Sequence, residues 1–278
     1  GELEYLLSIT RVVDPPVIIH QVIVPLDFDA TVNRLQETKD YRSNRGSEGA
    51  QVSVMAKIVE REEGTYIVLQ SLAYLSNCDT MTRCFFLFHE IAHLINKNRF
   101  PPIPTGSFSL EKYLGNLYII FDEYFADRLA FQITENVFST SEFWAQYNRN
   151  GVSTYLDIAA DPRYYEFIKT EIERFREHSD VTLHCNSIFG TVHIIAISTA
   201  HVFAQYHQHL DQFRDTLFAE SMFFNQKTFA LMDYFKTKYE NSESDLSDGL
   251  ELIKEYFTNF GIRFEDRQGN GYITVLDI

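Results

Sequence analysis

Apolar positions in the first quarter of the chain recur at every second residue. Val17 to Val24, bounded by Pro15-Pro16 and Pro25, predicts a strand with turn residues on both sides. Gln51 to Val59 alternates loosely, Arg61-Glu62-Glu63-Gly64 makes a charged turn, and Thr65 to Leu69 resumes as a strand, so this pair predicts a hairpin. Between the strands, Asp29 to Arg42 predicts a short helix and Ser43 to Gly49 a polar loop. From Asp79 the period lengthens to about 3.6. Asp79 or Thr80 can cap a helix running to about Leu94, and the prolines of Arg99 to Gly106 then force an irregular loop. A second helix is expected from Leu110 or Leu117 to Asn136, and another beginning over Ser139 to Trp144. Asp161-Pro162 opens the next, with proline at the first helical position. Further helices follow over Thr191–Phe213, Asn225–Tyr239 and Asp248–Phe260. Ser242 to Ser247 is polar and acidic and is expected to be a mobile loop. Gln268-Gly269-Asn270-Gly271, between two β-branched and aromatic runs, predicts a closing hairpin.

Composition narrows the class. A chain of 278 residues suits one large domain or two small ones, with 45% hydrophobic residues to build a core. Lys and Arg number 24 against 39 Asp and Glu, for a net charge of −15. That balance repels a phosphate backbone, so nucleic acid is not expected as the main partner. The three cysteines, Cys78, Cys84 and Cys185, offer neither a disulfide framework nor paired metal ligands, which fits a reducing cytosol. No stretch reaches the roughly 18 uninterrupted apolar residues of a membrane helix. The nearest, Ile188 to Ala204, is broken by His193, Ser198 and His201. The first ten residues lack the basic start of a signal peptide. The expectation is a soluble, cytoplasmic protein without membrane insertion.

One motif carries chemistry: His89-Glu90-Ile91-Ala92-His93. Histidines four apart leave one helical face a turn apart, so their rings can converge on one ion. Glu90 points to the side, where it can take a proton as a general base. The flanking Phe85, Phe86, Leu87, Phe88, Leu94 and Ile95 are apolar, so the helix is expected to be buried while carrying two histidines and a glutamate. Burying such groups unpaired costs several kcal/mol, and a metal compensates that cost.

A zinc site of this kind needs a third protein ligand. Thirty residues after His93 comes Glu123, in Phe121-Asp122-Glu123-Tyr124-Phe125-Ala126-Asp127-Arg128-Leu129-Ala130. Asp122 lies about 100° round the helix from Glu123, so both cannot face one ion. Ile119, Ile120, Ala126 and Ala130 are taken to mark the buried arc that includes Glu123. Asp127, one turn on, shares the arc and can accept the outer N–H of a ligand histidine. The plain alternative is a solvated acidic face paired with Arg128. His193 and His201, eight apart on one face of an apolar helix, are candidates for stabilising an oxyanion, beside the reading that they are core histidines bonded to carbonyls. Cys84 is read as a buried, inert thiol.

HEIAH followed by EYFAD resembles the gluzincin metallopeptidases, with HExxH plus a glutamate from a later helix. The strand TYIVLQ leading into the apolar helix, and the short distance to the Glu helix, are similar to the ImmA/IrrE family. A more distant similarity is to Lit-type phage-exclusion proteases. The resemblance spans about Thr65 to Val137, roughly a quarter of the chain. It implies an α+β fold: a zincin-like core of a small sheet, the HExxH helix and the Glu-bearing helix over 1–140, then a mainly helical region over 141–278. It implies Zn²⁺ held by His89, His93 and Glu123, with Glu90 as catalytic base and Asp127 behind a ligand. The implied activity is cleavage of one or few specific intracellular protein substrates in bacterial stress response or phage defence. Two other readings stand beside it: a degenerate peptidase fold used for binding or sensing, and a metal hydrolase of a small non-peptide substrate. An intact Glu90 speaks against the first.

Overall fold

The computed structural model describes residues 19–45, 52–71, 80–97, 99–137, 152–178, 184, 186–207 and 224–276. The fold is α+β, with eight α-helices and small sheets among the described residues. These residues form two compact units. The first takes residues up to Asn98 and 126–137; the second takes 99–125 and the described residues from 152 onward.

In the first unit, β1 (Ile19–Ile23), β4 (Ala56–Arg61) and β5 (Gly64–Leu69) form a three-stranded sheet in the order β1-β5-β4. β5 lies in the middle, parallel to β1 and antiparallel to β4. Its run Tyr66-Ile67-Val68-Leu69 is buried throughout, as a central strand covered on both faces requires. Gly64 closes the β4–β5 turn at φ 141°, and a Cβ there would meet the His20 Cβ at 2.9 Å, so no other residue fits. Two shorter strands, β2 (Asn44–Arg45) and β3 (Val52–Ser53), pair separately.

α1 (Phe28–Gln36) is capped by the Asp27 carboxylate, which accepts from the Ala30 N–H at 2.9 Å. Phe28 and Val32 pack with Tyr41, Val59, Tyr66 and Val68 in the core. The helix stops six residues before the expected Arg42. Glu37 takes the left-handed conformation, and the Asn33 amide bridges to the returning chain, accepting from Tyr41 N–H and donating to Tyr41 C=O. α2 (Thr80–Lys97) carries the HExxH segment and packs against β4, where Lys97 pairs with Glu60. Asp79, the alternative cap, lies outside the described residues.

α3 (Phe108–Val137) runs 30 residues as one helix through both units. It starts close to the earlier of the two expected positions. In the second unit follow α4 (Val152–Ala160), α5 (Pro162–His178), α6 (Asn186–Gln205), α7 (Gln226–Glu240) and α8 (Leu250–Asn259). α8 is preceded by a 3₁₀ turn, Ser247–Gly249. The helix start expected over Ser139–Trp144, and residues 208–213 of the expected sixth helix, lie outside the described residues. α6 has the length and hydropathy of a membrane-crossing helix, and 67% of that stretch is buried inside the protein, against α4 and α5. The loop after α7 is pinned: Lys238 pairs with Glu243 at 2.7 Å and with Asp248 at 3.1 Å.

The closing hairpin is β6 (Ile262–Arg267) and β7 (Asn270–Val275). Its two turn residues, Gln268 and Gly269, sit at φ 53° and 79°, both positive as a right-twisted two-residue hairpin demands. This hairpin holds the start of α3. The Asp266 carboxylate accepts from the backbone N–H of Phe108 (2.9 Å) and Ser109 (3.2 Å) and from the hydroxyls of Ser107 and Ser109. Those are orphan donors of a helix N-terminus, satisfied here by a residue remote in sequence. The Phe264 N–H donates to the Tyr113 hydroxyl at 2.9 Å, fastening the hairpin one turn further along.

Candidate metal centre

α2 turns its apolar residues inward almost without interruption: Cys84, Phe85, Leu87, Phe88, Ile91, Ala92, Leu94 and Ile95 are all buried. His89 and His93 therefore leave the helix into protein and not into bulk water, half-buried, with Glu90 beside them. Phe85 packs on Phe131 of α3 at 4.7 Å between ring centres and lies 6.4 Å from the His89 ring, walling that side.

The His89 Nδ1 lies 2.7 Å from an Asp127 oxygen. Asp127 is 1% exposed, so this carboxylate is fully withdrawn from water. A buried carboxylate beside a ring nitrogen requires a donor, which places the His89 proton on Nδ1 and leaves the Nε2 lone pair outward. The two Nε2 atoms of His89 and His93 then meet at 2.9 Å, their rings nearly perpendicular. At that distance two imidazole nitrogens share a proton or face a common cation. Nitrogens bound tetrahedrally to one zinc at its usual bond length stand about 3.3 Å apart, a few tenths of an ångström more. Small rotations of the rings suffice.

The division between the two units falls within α3, between Phe125 and Ala126, so one continuous helix carries both Glu123 and Asp127. Asp127 anchors that helix to His89, and Glu123 is one turn before it. Ligand atoms of His89, His93 and Glu123 all lie within 4.8 Å of one another. Two ring nitrogens and one carboxylate are a donor set suited to zinc, and three protein ligands leave a tetrahedral ion one further position. The three residues and Asp127 thus come together, while Asp122, about 100° away on α3, is not part of the group.

The solvated-face alternative for this stretch does not hold. Asp127 and Arg128 are both buried, as are Tyr124, Phe125, Ala126 and Ala130. The arc assumed from sequence needs correction at one position: Ile119 is 48% exposed.

α6 brings two histidines toward the same carboxylate. His201, 5% exposed, has its Nε2 3.7 Å from Glu123 Oε2. His193 Nδ1 is buried without a hydrogen-bond partner, and burial pushes its ring below the ordinary histidine range against the upward pull of Glu123. Sequence reasoning missed a third α3 contact. The Tyr124 hydroxyl meets His207 Nδ1 at 2.5 Å, and His207 Nε2 lies 3.2 Å from Glu240. In the sequence His207 stands only among the late histidines His184, His193, His201, His207 and His209, with no spacing to tie it to Tyr124. His184, from the same cluster, pairs with the buried Glu171 at 2.9 Å.

Compared with protein-family models, curated proteins and solved structures, the chain matches none.

Proposed function

We propose that this protein is a zinc-dependent endopeptidase, built on a zincin-like core of the β1-β5-β4 sheet, α2 and α3. The observation that carries the reading is the convergence of His89, His93 and Glu123 with a buried Asp127 behind His89. Four polar side chains drawn together in an apolar setting call for a common partner, and a divalent cation satisfies all of them.

Zinc held there supplies Lewis acidity toward a peptide carbonyl and lowers the pKa of water toward 7. The chain's own residues do the rest. Asp127 fixes the tautomer of His89 and so aims its Nε2. Glu90, adjacent to His89 in the chain, takes a proton on its carboxylate from the attacking water and delivers it to the leaving amine. Phe85, buried beside the His89 ring, keeps bulk water from that side of the site, which strengthens the charge interactions within it. The expected substrates are one or few intracellular proteins, in a bacterial stress-response or phage-defence setting.

The test pairs metal analysis with proteomics. Wild type and Glu90→Gln should each hold close to one zinc per chain, and only the wild type should generate cleaved proteins in a host lysate. Loss of zinc from Glu90→Gln would make Glu90 a ligand instead of a base. Identical cleavage patterns for the two proteins would remove the peptidase reading.

A further inference from the structure

The contact between His201 and Glu123 lies wholly within the second unit. α6 is mostly apolar on its buried side, with Val192, Ile195, Ala196 and Phe203 buried, and it carries Ser198, Thr199 and Gln205 there as well. An imidazole in such a helix is stable where its polar atoms are met. Its Nε2 is aimed at a carboxylate that retains partial exposure, 23% for the Glu123 side chain. A carboxylate has about four lone-pair sites on two oxygens, so one oxygen can face His89 and His93 while another lone pair accepts from His201.

We infer that His201 is a positioning residue for the third metal ligand: its Nε2–H holds the Glu123 carboxylate in the rotamer that faces the histidine pair. The inference rests on the metal reading above and assigns His201 a different task from oxyanion stabilisation. The present 3.7 Å separation closes to a hydrogen bond by a movement of about 0.8 Å, within the reach of a side-chain rotation. His201 then does for Glu123 what Asp127 does for His89. Each end of the ligand set is held from behind by a residue of a different helix, α6 and α3.

Competitive zinc titration against a chelating dye tests this on the full chain. His201→Leu keeps an apolar side chain in the core but removes the N–H, and should weaken zinc binding about 10–100-fold. His201→Gln restores an N–H donor and should lose less than about tenfold. In combination with Glu123→Ala, His201→Leu should add no further loss, because its effect runs through Glu123. Wild-type affinity in His201→Leu, or full additivity with Glu123→Ala, overturns the inference and leaves the metal site standing. Should His201→Leu fail to fold, His201→Asn takes its place. Its amide is one methylene shorter than that of Gln, and equal affinities for Asn and Gln overturn the inference. If wild type binds zinc no better than His89→Ala, the metal reading falls and this inference falls with it.

Discussion

Removing the carboxylate behind His89 is the sharpest perturbation this geometry offers. Asp127 is 1% exposed and its oxygen lies 2.7 Å from His89 Nδ1, a short contact typical of a charge-assisted hydrogen bond. In Asp127→Ala the ring loses both its orientation and the preference for the Nδ1–H tautomer, so its Nε2 lone pair is no longer held toward His93 and Glu123. Losing such a partner costs a ligand site about 10–100-fold in metal affinity, which is about 1.4–2.7 kcal/mol. The net worth of one hydrogen bond to a charged group, about 1.5–3 kcal/mol, gives the same range independently. Asp127→Asn keeps an oxygen acceptor for Nδ1–H and forfeits the charge, so it should fall between wild type and alanine. The assay is zinc titration at pH 7, with melting curves in excess chelator to separate a damaged site from a damaged fold. Wild-type zinc affinity in both variants, alongside a His89→Ala control that loses zinc, would refute the tautomer argument. Complete loss of zinc in Asp127→Ala with an intact fold would make Asp127 a ligand.

Two further outcomes follow from α3. Glu123→Ala should weaken zinc binding more than either Asp127 variant, leaving the residual affinity of two histidines, while Asp122→Ala should stay within about twofold of wild type, because its side chain leaves the helix about 100° from that of Glu123; the reverse order would mean the helix phase is misassigned. Asp266 is held below the ordinary aspartate range, first by the hydroxyls of Ser109 and Ser107 and then by the backbone N–H groups of Ser109 and Phe108. A depressed folded-state pKa stabilises the fold above the unfolded value of 3.8, and that contribution disappears as pH falls through the lower folded value. Asp266→Ala should therefore melt below wild type at pH 7, with the gap closing as the pH drops below 3.8; a gap independent of pH would refute the cap.

The closeness of the two histidines was legible because i,i+4 spacing on a helix fixes it locally, and the apolar flanks told that the helix would be buried. Asp127 followed for the same reason, one turn from Glu123. Helix phase was harder to read. α3 is buried on nearly every side, so apolar residues mark no single stripe, and Ile119 could be assigned to the interior although it faces out. The early end of α1 depended on one amide, Asn33, whose bonds to Tyr41 have no hydrophobic signature. Pairings across 78 to 158 residues were illegible in principle: His201 with Glu123, His207 with Tyr124, and Asp266 with the start of α3 are set by tertiary packing, and a single sequence carries no pattern for them.

The last of these pairings bears on when the protein becomes complete during its synthesis. Phe108 and the residue that caps it are separated by 158 positions. At about 5–20 residues per second, a ribosome needs roughly 8–30 s to travel between them. For most of that interval, once Glu123 has been made, the nascent chain has its two histidines and Glu123, yet the helix bearing Glu123 still lacks the carboxylate that closes its first turn. A message cut short before the codon for Asp266 yields every proposed ligand, but with Glu123 on a helix whose first turn is left open. The hairpin thus ties the first turn of the Glu123-bearing helix to a residue made 158 positions later.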